Sequence, residues 1–187
     1  MAFPPVFRAI LLAAAGLLLA ACQTVNTISD GEDSNLMLKG RDPVAYFTQG
    51  RHLAGSPAIK ADHEGVTYRF ASAENRDLFV KDPARYAPQF GGFCANGMAY
   101  AIPWGGEPDT WKIIDGKLYV FGGQSSKNYF LLDEKRNLEL AQRYWKEEVN
   151  GMNPRIQTLR RLVFKVPHYK TGKQLEAEWQ ASQGKGS

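Results

Sequence analysis

The stretch Trp111-Lys112-Ile113-Ile114-Asp115-Gly116-Lys117-Leu118-Tyr119-Val120-Phe121 does most to decide the fold class of this chain. It consists of two largely apolar runs separated by the dipeptide Asp115-Gly116. Asp-Gly between two such runs is the strongest short-range signal for a β-hairpin, because both residues tolerate the positive φ angles of a tight turn. The stretch therefore predicts two antiparallel strands.

A second hairpin is predicted upstream of the first. Glu64-Gly65 stands before Val66-Thr67-Tyr68-Arg69-Phe70-Ala71, where polar and apolar residues alternate. This alternation places Val66, Tyr68 and Phe70 on one face of a strand. Antiparallel strands thus occur at two places in the chain.

Helices are predicted between and after these strands. Ser72 can cap a helix that starts at Ala73 and ends before Pro83, because the residue preceding a proline is disfavoured in the helical region. A short helical turn is expected from Pro83 to Tyr86. A longer helix is expected from Glu134 to Val149, and the residues spaced to face a core are Leu138, Ala141, Trp145 and Val149. The predicted fold class is α+β: a small antiparallel sheet of hairpins packed with short helices, plus a C-terminal helical extension.

The C-terminal segment from Gly151 to Ser187 is basic. It holds seven Lys and Arg against two Glu, a net charge of +5, whereas the whole chain has a formal net charge of +4. This excess predicts either a solubilising end or contact with acidic partners or lipid headgroups. The segment contains no nucleic-acid-binding motif, so we expect no nucleic-acid partner.

The pattern within the basic segment allows two interpretations. Its apolar residues after Pro154 fit one face of a helix with basic residues opposite, and a strand over residues 162–166 is the alternative. Further on, Thr171-Gly172-Lys173-Gln174 resembles a capping box and predicts a terminal helix through Trp179. The residues of the proposed helical face are Ile156, Leu159, Leu162, Val163 and Val166.

The first 21 residues have the layout of a secretory signal peptide. Arg8 is followed by an uncharged run of thirteen residues, Ala9–Ala21, which is shorter than the roughly 20 residues that a membrane span needs. The run ends in Leu19-Ala20-Ala21-Cys22, which resembles the lipobox of bacterial lipoproteins. That resemblance implies that Cys22 becomes the N-terminus and carries a diacylglycerol and an N-acyl chain such as palmitate. The lipid bilayer is then the first expected partner.

The residue after Cys22 bears on the membrane in which an anchored lipoprotein is located. By the same resemblance, Gln23 in place of Asp implies the periplasmic face of the outer membrane of a Gram-negative host. Together these patterns predict four segments. They are a signal peptide over 1–21, a flexible tether from lipidated Cys22 over 22–35, an α+β domain over 36–150 and a basic C-terminal extension over 151–187.

Three segments of the predicted domain resemble the bacterial YHS-domain family, and the hairpin over 111–119 continues the pattern. The resemblance spans about residues 36–125 and implies a small α+β domain of the kind found in exported family members. The three segments are Leu38–Phe47, Tyr68–Arg76 and Pro83–Ala95.

This sequence departs from the metal-handling members of that family. In those members a Cys follows Asp-Pro-Val, and a Phe-Cys-Ser-x-x-Cys stretch supplies further thiolates. Here Ala45 follows Val44, and Ala71 and Asn75 occupy the other two positions. An alanine side chain has no lone pair to donate, so the family's link to heavy-metal transport is not carried over.

Cys94 is the only thiol left once Cys22 is acylated, and an internal disulfide is therefore excluded. Three roles remain open for it: a buried small apolar residue, a ligand for a small molecule or a metal such as copper, and a reactive thiol. The three histidines His52, His63 and His168 show no close spacing that would complete a metal site.

We expect ligand binding rather than catalysis, because no Ser-His-Asp or Cys-His order, phosphate loop, zinc spacing or haem motif is present. No cofactor is required by the sequence. The hypothesis is a membrane-anchored periplasmic lipoprotein that binds a small ligand or a protein partner. The alternatives are a metal-binding protein that uses Cys94 and a thiol-dependent enzyme. The candidate ligand-binding residues are Cys94, Tyr46, Tyr68, Trp104 and Trp111.

Overall fold

The computed structural model describes residues 24–184, in which strands form two sheets. The strands are β1 (Thr27–Asp30), β2 (Asp33–Met37), β3 (Ser56–His63), β4 (Val66–Phe70), β5 (Glu107–Ile114) and β6 (Lys117–Phe121). The larger sheet has the strand order β1-β2-β4-β3, with β2 and β4 parallel and the other neighbours antiparallel. The smaller sheet is the antiparallel hairpin β5-β6.

Both predicted hairpins are confirmed. Ile114 pairs with Lys117 across the Asp115-Gly116 turn, and the φ angles of the two turn residues are +49° and +70°. His63 pairs with Val66 across Glu64-Gly65, whose φ angles are also positive. Two consecutive positive φ angles match the twist of the flanking strands, which explains why these dipeptides stand at the turns.

Eight α-helices are present among residues 24–184, and the predicted α+β class with a C-terminal helical part is confirmed. The Ser72 hydroxyl accepts a hydrogen bond from the Asn75 backbone N–H at 3.2 Å, which is the predicted cap. The long predicted helix forms over Glu134–Tyr144 and continues as a π-helical turn over Trp145–Val149. The helices are α1 (Ala45–Thr48), α2 (Ala73–Lys81), α3 (Pro83–Tyr86), α4 (Ala95–Met98), α5 (Gln124–Leu131), α6 (Glu134–Tyr144), α7 (Pro154–Val163) and α8 (Gly172–Gln183).

The prediction of a flexible tether over 22–35 is wrong from Thr24 onward, because residues 24–35 include β1 and most of β2. Thr24 is 4% exposed, and the Asp33 carboxylate contacts the Arg69 guanidinium at 2.7 Å. Arg69 also contacts the Asp30 carboxylate at 2.6 Å. Val25 packs against an apolar core cluster, whereas ion pairs and hydrogen bonds hold the polar residues of the segment. Hydrophobic periodicity therefore gives little sign of it.

The C-terminal extension packs on the domain. Val166 and Leu175 are buried in the same core cluster as Phe121 and Phe130. The predicted capping box is present, because the Thr171 hydroxyl accepts from the Gln174 backbone N–H and the Gln174 side chain accepts from the Thr171 backbone N–H. Residues 151–184 are therefore part of one folded unit with the residues before them.

The interpretation of the basic segment as a helix is confirmed over Pro154–Val163, and the strand alternative over 162–166 does not form. The predicted apolar face points away from the core, because most of its residues are exposed and only Val166 is buried. Within residues 24–184 no helix is both long enough and apolar enough to cross a membrane.

The apolar core has two clusters, one on each side of β6. The first holds Cys94 and α4 to α6, and the second holds α2 together with one face of the four-stranded sheet. The predicted signal peptide and Cys22 lie outside the described residues.

Candidate functional site

The main candidate site is a pocket at the junction between the domain and the C-terminal extension. It lies where α4, the start of α5 and the end of β6 meet the segment that leads into α8, and its volume is about 440 Å³. We call it the Cys94 pocket. Its lining residues are Cys94, Asn96, Tyr100, Trp104, Gly105, Gly122, Ser125, Ser126, Tyr129, Tyr169, Lys170, Gly172 and Leu175.

Cys94 forms the floor of this pocket and is held tightly. Its Sγ shares a hydrogen bond with the Ser126 hydroxyl at 3.1 Å and accepts the Gly97 backbone N–H at 3.4 Å, which caps α4. Its own backbone N–H donates to the Trp104 carbonyl oxygen at 2.8 Å. Cys94 is only 1% exposed. The thiol is therefore a packed part of the floor.

Aromatic side chains form the walls of the pocket. Trp104 stands at the rim and is 41% exposed. The Tyr129 hydroxyl donates to the Glu176 carboxylate at 2.7 Å, and this hydrogen bond raises the pKa of Tyr129. Burial raises the pKa of Tyr100. Both tyrosines therefore keep their hydroxyl protons at neutral pH, and the proton of Tyr129 is already donated to Glu176.

A smaller cavity adjoins the Cys94 pocket along the same junction. Its volume is about 260 Å³, and it shares Tyr100, Tyr129, Lys170 and Leu175 with the Cys94 pocket. It also contains His168, whose Nε2 lies 2.8 Å from the Ala99 carbonyl oxygen. The junction between the domain and α8 is therefore indented along much of its length.

The structure divides the five sequence candidates between two places. Cys94 and Trp104 line the Cys94 pocket. Tyr46 and Trp111 pack edge to face at 5.0 Å between ring centroids, and the Tyr46 hydroxyl donates to a backbone carbonyl oxygen. Tyr68 packs on the Phe79 ring at 4.5 Å and lines a separate cavity of about 280 Å³. These last three aromatic residues belong to the second core cluster and its edge.

Ser125 and Ser126, whose hydroxyl groups line the pocket, were not identified from the sequence. The lining residues Tyr169 and Lys170 of the C-terminal extension were not identified either. Gly122-Gly123 followed by Ser125-Ser126 was a visible signal, because small residues before a helix leave room for a ligand near its first turn. Tyr169 and Lys170 carried no comparable signal. They reach the pocket only because residues 164–171 turn back onto the domain.

Ala45, Ala71 and Asn75 meet at the side chain of Asp42. The buried Asp42 carboxylate accepts hydrogen bonds from the Asn75 side-chain amide at 2.6 Å and from the Ala71 backbone N–H at 2.8 Å. The Ala45 backbone N–H lies 3.3 Å from the other carboxylate oxygen. The Asp42 carboxylate and its hydrogen-bond partners fill this place. These partners are N–H groups, which cannot ligate a cation.

Cys94 has few neighbours that could complete a metal site. Among residues 24–184 no group of three or more His, Cys, Asp and Glu side chains is arranged to hold a metal ion. In the pocket, the Ser126 hydroxyl lies 3.1 Å from the Cys94 Sγ, and Asn96 is among the other polar lining residues. This donor set is poor for a soft metal such as copper, which prefers several thiolate or thioether ligands.

No protein-family model, curated protein or solved structure matches this chain.

Proposed function

We propose that this chain is a YHS-type lipoprotein, held through acylated Cys22 at the periplasmic face of the outer membrane, that binds a small molecule in the Cys94 pocket without chemically transforming it. The single observation that carries the binding proposal is the open pocket of about 440 Å³ at the junction of the domain and its C-terminal extension. This volume is within the range of roughly 300–1,000 Å³ that is typical of small-molecule sites.

The lining of the pocket indicates the chemistry of its ligand. Trp104, Tyr129 and Tyr169 offer ring faces and edges on which a flat apolar group can pack. Ser125 and Ser126 add hydroxyl groups at the first turn of α5. The pocket therefore suits a small planar or aromatic molecule with one or two hydrogen-bonding groups.

The surroundings of Cys94 favour binding over thiol chemistry. The two hydrogen-bond partners of its Sγ are a serine hydroxyl and a backbone N–H. Neither group can take a proton from the thiol as a general base would. Burial of the side chain also keeps the sulfur away from an incoming electrophile.

Two features support the YHS-type lipoprotein part of the proposal. The lipobox-like stretch Leu19-Ala20-Ala21-Cys22 ends an apolar run of signal-peptide length. In the folded part, Ala45, Ala71 and Asn75 meet at Asp42, as expected if these positions correspond to one shared site in the family.

A capture experiment tests the binding proposal. The chain from residue 22 onward, with Cys22→Ser, is incubated with the low-molecular-mass fraction of a periplasmic extract and repurified, and the compounds released on denaturation are identified by mass spectrometry. We expect the same compound to be retained repeatedly and to be lost in Ser126→Leu, which fills the pocket beside Cys94. Ser34→Leu, at an exposed serine of β2, is the matched control and should retain it.

Lipid labelling tests the anchor separately. Cells that express the full chain are grown with an alkyne analogue of palmitate, and the protein is detected after coupling to a fluorophore. We expect label on the wild type and none on Cys22→Ser. Equal labelling of both proteins, or none on either, would contradict the anchor and would leave the binding proposal standing.

A further inference from the structure

Helix α7 presents its polar side to the protein and its apolar side to solvent. The Gln157 side chain is fully buried and donates to the Ala101 carbonyl oxygen at 3.1 Å. On the opposite side, Ile156, Leu159 and Val163 are 62%, 65% and 65% exposed. Their spacing of three and four residues places them in one stripe along the helix. An exposed apolar stripe of this kind marks a contact surface.

The start of the described chain is fastened beside this helix. The Thr24 hydroxyl donates to the backbone oxygens of Val149 and Met152, just before the Asn153 cap of α7. Cys22 is two residues upstream of Thr24. Two residues span at most about 7 Å, so acyl chains on Cys22 would emerge close to the N-terminal end of α7.

Positive charge borders the apolar stripe. Arg155 and Arg160 are exposed and lie on either side of it, and exposed Lys165 follows the C-terminal end of the helix. The third arginine of the helix, Arg161, instead turns inward and pairs with the Glu148 carboxylate. An apolar stripe bordered by cations is the pattern of a helix that lies in the interface of an anionic membrane.

We propose that α7 lies on the bilayer to which Cys22 is attached, with Ile156, Leu159 and Val163 in the interface and with Arg155 and Arg160 on anionic phospholipid headgroups. This inference rests on the anchor of the proposed function. Phe164 and Met152, both exposed, extend the same apolar surface at the two ends of the helix. The acyl chains and the helix together hold the domain directly on the membrane in one orientation.

Vesicle flotation tests the inference without the lipid anchor. The chain from residue 22 onward, with Cys22→Ser, is mixed with vesicles of phosphatidylethanolamine and phosphatidylglycerol. We expect binding that weakens with added salt and falls by about tenfold or more when Ile156, Leu159 and Val163 are all changed to Ser. The matched control changes Leu78 and Val80, exposed apolar residues of α2, to Ser and should bind as the parent protein does.

A charge variant gives a second measurement. Arg155→Gln with Arg160→Gln should weaken binding to the anionic vesicles severalfold and leave the far-ultraviolet circular dichroism spectrum unchanged. The inference is overturned if the parent protein does not float with anionic vesicles or if the triple serine variant floats equally well. It is also overturned if α7 instead joins two copies, seen as a dimer in sedimentation that the triple variant abolishes while the parent shows no vesicle binding. Palmitate labelling of Cys22 does not depend on α7, so failure of the anchor is detected separately.

Discussion

The hydroxyl of Thr24 lies 2.8 Å from the backbone oxygen of Met152, and this contact joins residues that are 128 positions apart in the chain. It fastens the start of the described structure to the loop that leads into α7. Thr24, the first described residue, lies two positions after Cys22 in the sequence. If Cys22 carries acyl chains as proposed, we expect the domain to lie at the membrane surface.

Replacing Thr24 with Val tests how much these hydrogen bonds stabilise the fold. The variant keeps the side-chain shape but leaves the Val149 and Met152 oxygens without their side-chain donor. We expect the free energy of unfolding to fall by about 1–2 kcal/mol in urea denaturation. Ser29→Ala, which removes an exposed hydroxyl from β1, is the control and should change it by less than about 0.5 kcal/mol. Equal effects of the two variants would show that the Thr24 contacts add no stability.

Acid should destabilise strands β1 and β2. The hydrogen bond from Lys60 and then those from Arg69 hold the pKa of Asp33 below its usual range, although burial opposes them. A carboxyl group whose folded pKa is lowered contributes stability above its unfolded pKa of about 3.9, and this stability is lost as the pH falls through the folded pKa. We expect the melting temperature to drop steeply below about pH 4.

The matched variant for this prediction is Asp33→Asn. It should lower the melting temperature at pH 7 and flatten the acid dependence, because the group that titrates has been removed. Asp77→Asn, at an exposed carboxylate of α2, should leave the acid profile unchanged. A profile for Asp33→Asn that runs parallel to that of the wild type would rule out Asp33 as the source of the acid effect.

Asp42 should be among the most sensitive positions of the domain. Its buried carboxylate accepts from three backbone N–H groups and from the Asn75 amide. Asp42→Ala leaves these donors unpaired, and we expect a loss of about 3 kcal/mol or more in the free energy of unfolding. Asp109→Ala, at an exposed ion pair with Arg41, should cost less than about 1 kcal/mol in the same denaturation experiment. A loss at Asp42 no larger than that at Asp109 would contradict the structural role of this network.

Local signals in the sequence were enough to predict the hairpins and most helices. Asp115-Gly116, Glu64-Gly65, Ser72 and Thr171 each act through the few residues beside them. The β1-β2 hairpin could not be predicted in this way, because its order depends on Arg69, which is distant in sequence. The parallel pairing of β2 with β4 could not be predicted from local signals either, because it joins residues that are distant in sequence.

The candidate site was predicted only in part. Cys94 stood out because it is the only cysteine of the sequence besides Cys22, and Trp104 stood out as an aromatic residue. Tyr169 reaches the pocket through the docking of the C-terminal extension, which depends on buried residues such as Val166 and Leu175. Periodicity can show that a helix has an apolar face, but it cannot show where that face points. For this reason the outward direction of α7 was visible only in the structure.

Alkylation of Cys94 should be slow in the folded protein. The thiol is 1% exposed and shares a hydrogen bond with Ser126. For the Cys22→Ser protein we expect iodoacetamide to react at least about a hundredfold more slowly in native buffer than in denaturant, because reaction requires local opening. A bound ligand should slow the reaction further. Native labelling at the denatured rate would mean that the thiol is open and reactive, which would favour the thiol-enzyme alternative.

We propose that the Cys94 pocket, and not the surface near Tyr46, Tyr68 and Trp111, binds a small molecule. The most direct measurement is a ¹H–¹⁵N spectrum of the Cys22→Ser protein during titration with the compound recovered in the capture experiment. We predict that the largest shift changes occur at the amides of Cys94, Trp104, Ser126 and Tyr169. Changes confined to residues around Tyr68 and Phe79, or no saturable change at any amide, would contradict the claim.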